Sequence, residues 1–204
     1  MTHVEFMKLF DGLFSQNEKD SIELAYILSK DAHRSQQRID GERYFEHPRR
    51  VALIYFNELK KNNADEICAC LLHDTIEDTL YINERKLGMW FNTDVADLVV
   101  ALSKVPGKTQ REYFDNLKLY GRAAIIKGCD RLDNLRSLKH TEPEFQWKQI
   151  HSTMKFVIPM LEHIRVTWQY ETAARLQDLI RLEVAKFPKL DDPYYPQNQK
   201  KVTP

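Results

Sequence analysis

Apolar residues recur along most of this chain at intervals of three and four, the period of a helix with one buried face. That spacing predicts helices near 3–14, 18–36, 47–61, 64–78, 84–90, 92–103, 110–119, 121–139, 143–168 and 169–186. Asn63 stands ahead of Asp65 and Glu66, a cap followed by an acidic first turn, and marks where the fourth of these helices begins. The segment "KVPGKT" at 104–109 reads as a turn, and Pro159 is expected to kink or divide the long helical pattern around it. Past Phe187 the periodicity stops. "PKLDDPYYPQNQKKVTP" holds four of the eight prolines and reads as a disordered tail or an extended strap over the surface. There is neither an internal repeat nor a glycine-rich phosphate loop. The expected fold class is all-α, one compact helical domain with a tail.

Composition narrows the function classes. The chain has 204 residues, enough for one domain with a real core, and is 43% hydrophobic, 29% charged and formally neutral. A neutral balance gives no support to nucleic acid as a partner. No run approaches the roughly 18 apolar residues of a membrane span, and "MTHVEFMKLFDGLF" does not read as a signal peptide. Cys68, Cys70 and Cys129 form no zinc-ribbon spacing and no even disulfide set, which favours a reducing, cytoplasmic compartment and no chemistry at these thiols.

The chemistry gathers at three places. In "CACLLHDTIEDT", residues 68–79, a continuous helix would put His73 and Glu77 on one face and Asp74 and Asp78 on the adjoining one. Three acids would then crowd the C-terminal end of an apolar helix, where the dipole opposes them. A divalent cation would reverse that electrostatics, and carboxylates with imidazole make a mixed O/N site for manganese, iron or zinc. Upstream, His47 precedes Pro48 in "RIDGERYFEHPRRVA" and so sits at or just before a helix start, a fixed position suited to a ligand. Downstream, "IKGCDRLDNLRSL" repeats Leu132, Leu135 and Leu138 at helical spacing, leaving Asp130 and Asn134 on a polar face. His47, His73, Asp74 and Asp130 form a four-ligand set that leaves a position for water.

The order G-x-x-Y-x-x-H-P, L-L-H-D-x-x-E-D-T and D-R-L-x-N-L-R, spread from about Tyr26 to His140, resembles the HD-domain hydrolases of the RelA/SpoT homologue superfamily. Without a synthetase domain, the chain is similar to the small alarmone hydrolases of SpoT-like and metazoan type. The resemblance implies an HD hydrolase domain over 1–187, with its motif core at about 26–140, C-terminal helices at 143–186 and a proline-rich tail at 188–204. It implies one divalent ion per chain, usually manganese, on His47, His73, Asp74 and Asp130, with Glu77 and Asp78 positioning or deprotonating the attacking water. For the nucleotide it implies Arg38 against the base and Asn134 near the nucleoside, with Arg136 in the same motif. Ile39 stands where the family commonly has lysine, and Asp40 where a small residue is usual.

The implied activity is a metal-dependent 3′-pyrophosphohydrolase acting on (p)ppGpp, the stringent-response alarmone, and releasing pyrophosphate with GDP or GTP. Alternatives keep the site but change the substrate to an adenosine alarmone or NADPH, or make the chain a non-catalytic nucleotide-sensing module. A homo-oligomer, or an antitoxin role beside a partner alarmone synthetase, is compatible with this reading. Lys104, Lys108 and Arg111 surround a glycine-containing turn that can receive a pyrophosphate or simply be solvated. His33 is expected to order a helix-to-loop junction, Tyr44 to pack beneath His47, and Trp147 and Trp168 to belong to the core.

Overall fold

The computed structural model describes residues 1–39, 41–164 and 169–187. Asp40, Trp168 and the tail at 188–204 lie outside the described residues, as do the expectations that fall on them. The helices are α1 (His3–Lys8), α2 (Gln16–Ala32), α3 (Glu46–Leu53), α4 (Ala64–Leu72), α5 (Thr75–Asp78), α6 (Glu84–Trp90), α7 (Thr93–Leu102), α8 (Gln110–Leu117), α9 (Gly121–Ser137), α10 (Pro143–Ser152), α11 (Ile158–Ile164) and α12 (Tyr170–Val184). The fold is all-α, and among the described residues the extended pairing is a single antiparallel bridge between Gln37 and Arg43. None of the described helices is long and apolar enough to cross a membrane.

Two helices form the centre. Ile67 to Leu72 of α4 are each 0% exposed, and α4 packs on α2, α3 and α7. Helix α9 packs on α12, α3, α7 and α11, and its stretch from Ala123 to Asp133 is buried throughout. Small side chains at Ala69, Cys70, Ala124 and Gly128 keep the central layer thin. A Cβ at Gly128 would come within 2.4 Å of a Leu176 methyl group and 3.4 Å of one on Leu161. The three cysteines are free and buried in this core.

Several starts follow the sequence. The Asn63 side chain accepts the Glu66 N–H at 2.9 Å, and Ser15 and Thr109 form reciprocal caps with Glu18 and Glu112. The ends depart from it in ways that matter. The stretch expected as one helix over 64–78 breaks at His73 and Asp74 into α4 and α5. The stretch over 143–164 is divided just before Pro159 by a π-helical turn at Thr153–Val157, and a second π turn at Ile54–Glu58 follows α3. Proline has no N–H and crowds the carbonyl four residues back, so a widened turn relieves the clash. Trp147 is half-buried and stacked on His151, not in the core.

Gly128→Val should destabilise the fold by about 1–3 kcal/mol, because the added branches must displace buried Leu176 and Leu161. A urea denaturation midpoint lowered at unchanged slope is the expected result. An unchanged midpoint would show that the α9–α12 contact is looser than these distances.

Candidate metal centre and its cavity

The break after α4 builds the site. At its C-terminal end, the Cys70 carbonyl accepts from His73 Nδ1 at 2.9 Å and the Leu72 carbonyl accepts from Thr75 Oγ1 at 2.7 Å. These side chains satisfy carbonyls that the next helical turn would otherwise have bonded. The chain turns through Asp74, with φ −99° and ψ −7°, and restarts as α5. Glu77 and Asp78 therefore close a single-turn helix, and no long-helix dipole opposes them. The expectation that His73 and Glu77 share a helix face is corrected by this break. His73 turns inward, whereas Glu77 accepts the Lys104 backbone N–H at 2.8 Å.

Hydrogen bonding fixes both imidazoles. A carbonyl can only accept, so His73 Nδ1 carries a proton, and Nε2 is the nitrogen left for a ligand once its own proton is lost. His47 Nδ1 likewise donates to Asp133 Oδ2 at 2.7 Å, which leaves its Nε2 as the inward atom. His47 Nε2, His73 Nε2 and an Asp74 oxygen lie within 4.8 Å of one another. Asp130 Oδ1 adds a fourth donor, 3.1 Å from His47 Nε2 and 3.9 Å from His73 Nε2. His73 Nε2 is buried 3.0 Å from Asp74 Oδ2, without hydrogen-bond geometry to any partner. Buried imidazole nitrogens converging with carboxylate oxygens are what a divalent-metal site requires, so the donor set fits such an ion.

Charged neighbours hold these groups in place. Tyr44 donates its hydroxyl to Asp74 Oδ2 at 2.7 Å, and burial together with Asp74 raises the Tyr44 pKa, keeping it a donor. Tyr44 thus does more than pack against His47, although the two rings do meet edge to face. Lys127 lies 2.6 Å from Asp130 Oδ2, and Asn134 donates to Asp130 Oδ1 at 2.6 Å. Burial opposes ionisation of Asp130, but Lys127, His47 and His73 outweigh it and hold the pKa well below the usual range. Burial also disfavours a charged His73, yet Asp74 and Asp130 lift its pKa to about 9. His33, neutral through burial, bonds Gln36 at 2.8 Å and reaches Asp78 Oδ2 at 3.5 Å, tying the end of α2 to α5. Burial and nearby Asp74 push the Asp78 carboxyl up.

Of these donors His47, Asp74 and Asp130 line a cavity of about 780 Å³, whereas His73, Glu77 and Asp78 are absent from its lining. Arg38, Lys104, Lys108, Lys127, Arg131 and Lys148 line it, against the carboxylates of Asp74 and Asp130. Arg38 donates to Asn134 Oδ1 at 2.9 Å and Ser137 Oγ at 2.8 Å. The loop carrying Arg38 is closed by the Gln37–Arg43 bridge and turns at Gly41, whose φ of 82° favours glycine. Of the residues read from the sequence as nucleotide contacts, Arg38, Asn134 and Lys104 line this cavity. Arg136 does not. At roughly 100° per residue it lies about 120° around α9 from Asp130, and it is bound bidentate by Glu58. Arg111 is likewise absent from the lining. Lys127 and Asp133 were given no role in the sequence, and Arg131 entered only as a letter of the third motif. The signal for Lys127 and Arg131 was register, since 127, 130, 131 and 134 fall on one broad face of a helix.

Fold and site together define a helical domain built around a histidine–aspartate centre able to hold a divalent ion. Residues 25–118 match the HD domain family model. Over most of its length the chain is similar to proteins named as synthases and hydrolases of (p)ppGpp. It is 34% identical over 163 residues to a GTP pyrophosphokinase of Myxococcus xanthus, covering 73% of this chain and 21% of that protein. It is 31% identical over 194 residues to a probable guanosine-3′,5′-bis(diphosphate) 3′-pyrophosphohydrolase of Mycoplasma genitalium, covering 86% and 26%. The bifunctional (p)ppGpp synthase/hydrolase SpoT of Escherichia coli is 28% identical over 172 residues, covering 78% and 24%. The chain thus spans about a quarter of the length of the curated relatives it matches. A solved structure reported as a metazoan orthologue of SpoT that hydrolyses ppGpp shares the fold. Its TM-score is 0.65 at 23% identity, with 85% of this chain and 96% of that one covered.

The protein should bind about one divalent ion per chain, and His73→Ala or Asp74→Ala should abolish binding. A metal needs the Nε2 lone pair, whereas the metal-free ring holds its proton up to a pKa of about 9. Binding must therefore release protons below that pH. Apparent affinity should rise as pH climbs toward 9 and then level off. Calorimetry in buffers of different ionisation heat reads the release directly, and proton-free binding at pH 7 would contradict the arrangement.

Proposed function

We propose that this protein is a metal-dependent (p)ppGpp 3′-pyrophosphohydrolase, releasing pyrophosphate and GDP or GTP. The observation that carries this is one cavity in which a His/Asp donor cluster opens beneath six cationic side chains and only two carboxylates. Such a lining is complementary to a ligand of several negative charges. The relatives named as synthases and hydrolases of this alarmone make (p)ppGpp the first candidate. In this reading residues 1–187 are the hydrolase domain, with the 188–204 tail appended.

His47, His73, Asp74 and Asp130 would hold the ion, and the O/N donor set is compatible with manganese. When bound, the ion would polarise the scissile phosphoryl group and lower the pKa of a water. The chain's own residues do the rest. Tyr44 and Asp133 fix the orientations of Asp74 and His47. Asp78, with its raised pKa and its His33 contact, takes the proton of the attacking water, and Glu77 positions that water. Glu77 is anchored by the Lys104 backbone, which couples the acid pair to the cationic loop that meets the phosphates. Arg38, oriented by Asn134 and Ser137, presents its guanidinium plane to the purine.

One observation favours a second substrate. Ile39 lines the cavity at 76% exposure and offers the base neither a hydrogen bond nor a charge. Guanine is then held less selectively, which leaves room for an adenosine alarmone or NADPH.

Glu77→Gln and Asp78→Asn should each lower turnover by roughly two to four orders of magnitude while metal content stays nearly intact, measured with manganese and (p)ppGpp by pyrophosphate release. Loss of the ion, with normal turnover once it is resupplied, would make both residues metal-site supports. Ile39→Lys should shift the ratio of guanine to adenine substrate efficiency toward guanine. An unchanged ratio in a folded, metal-replete variant would remove position 39 from base recognition.

A further inference from the structure

Arg131 lines the cavity at only 8% exposure, yet among the described residues its guanidinium has no carboxylate salt bridge. One of its terminal nitrogens donates to the neutral amide oxygen of Gln149 on α10, and its Nε is buried with no partner. Other arginines nearby are paired: Arg38 with Asp133, Arg50 with Glu42 and Asp133, Arg122 with Asp94, and Arg136 with Glu58. The adjacent acid, Asp130, does not fill the gap. Its Oδ2 is taken by Lys127, and its Oδ1 by Asn134 and His47. A buried guanidinium facing a cavity without a counter-charge is costly unless an anion completes it.

Its place on α9 says which anion. At roughly 100° per residue, Arg131 lies about 100° around α9 from Asp130, whereas Asn134 and Ser137, which Arg38 bonds, lie about 40° to one side and 20° to the other, one to two turns further along. Arg38 therefore stands along the helix from the metal-side carboxylate and Arg131 stands to its flank. A nucleotide with its reacting phosphate at the His/Asp donors and its base against Arg38 leaves that flank for a second phosphate group. We propose that Arg131, backed by Gln149, is the seat of the substrate's non-reacting phosphate group and selects nucleotides bearing phosphates at two positions. This assignment of the flank rests on the nucleotide reading above. The planar fork of arginine suits two phosphate oxygens at once.

Inorganic pyrophosphate titrated calorimetrically into chelator-treated protein tests the subsite without turnover. Wild type should bind it, and Arg131→Gln should bind roughly ten- to hundredfold more weakly, the worth of a charge-assisted hydrogen bond. Gln149→Glu gives the guanidinium an internal carboxylate and should weaken binding similarly, which keeps the test alive if Arg131→Gln fails to fold. Equal binding by wild type and the folded variants, or none by wild type, overturns the subsite. In manganese-loaded protein, Arg131→Gln should raise KM for guanosine 3′,5′-bis(diphosphate) by a similar factor but leave that for guanosine 3′-diphosphate unchanged. Equal losses on both substrates would overturn the assignment to the non-reacting phosphate. If wild type cleaves neither nucleotide yet binds pyrophosphate through Arg131, the subsite stands and the nucleotide reading alone falls.

Discussion

A buried imidazole that donates one N–H to a fixed acceptor can offer only its other nitrogen, and this site depends on that constraint twice. His73 donates to the Cys70 carbonyl and His47 to the Asp133 carboxylate, so both Nε2 atoms face the same point beside Asp74 and Asp130. The first of these bonds also caps α4 and stops it at Leu72. One interaction therefore ends the helix, sets the tautomer and aims the ligand. Had α4 continued through Asp78, the imidazole could not have bonded that carbonyl as it does, and the acid pair would have faced an opposing dipole.

Around these two bonds the protein concentrates charge it cannot easily bury. Asp130 and Asp133 are almost fully enclosed, and the cations Lys127, Arg50 and Arg38 converge on them. Buried pairs of this kind add little net stability compared with apolar packing, but removing one partner strands the other. The apolar layer of α4 and α9 carries the fold, so the ionic network is free to serve geometry. Small residues bring the two helices close to their neighbours, which lets side chains from α3, α4 and α9 meet at one point.

The cavity's composition follows from the same placement. Helix α9 presents Lys127, Asp130, Arg131 and Asn134 to it, while Arg136, in the same motif, turns toward Glu58. A motif read as a string gives its residues equal standing. A helix divides them by angle, and only part of the motif reaches the site. The loop at 104–109 enters the cavity through Lys104 and Lys108, and its Lys104 backbone N–H also anchors Glu77. The cations of that loop and the acid pair are thereby joined by one hydrogen bond between segments distant in sequence.

By itself the sequence determined the all-helical class, the Asn63 cap, the division near Pro159, and the residue types of the donor set, His47, His73, Asp74 and Asp130. These are local matters. Apolar period, capping side chains and proline's missing N–H act over a few residues and leave their mark in neighbouring letters. Where α4 ends is also set locally, by His73 and Thr75 side chains closing carbonyls three residues back, although the apolar pattern runs straight past that stop. Tertiary structure alone decided that Tyr44 holds Asp74, that Asp133 rather than solvent orients His47, that Arg136 faces away, and that Arg131 is buried without a counter-charge. Each of these depends on which elements lie against one another in space, and burial sets the strength of a charge or hydrogen bond only once that packing exists.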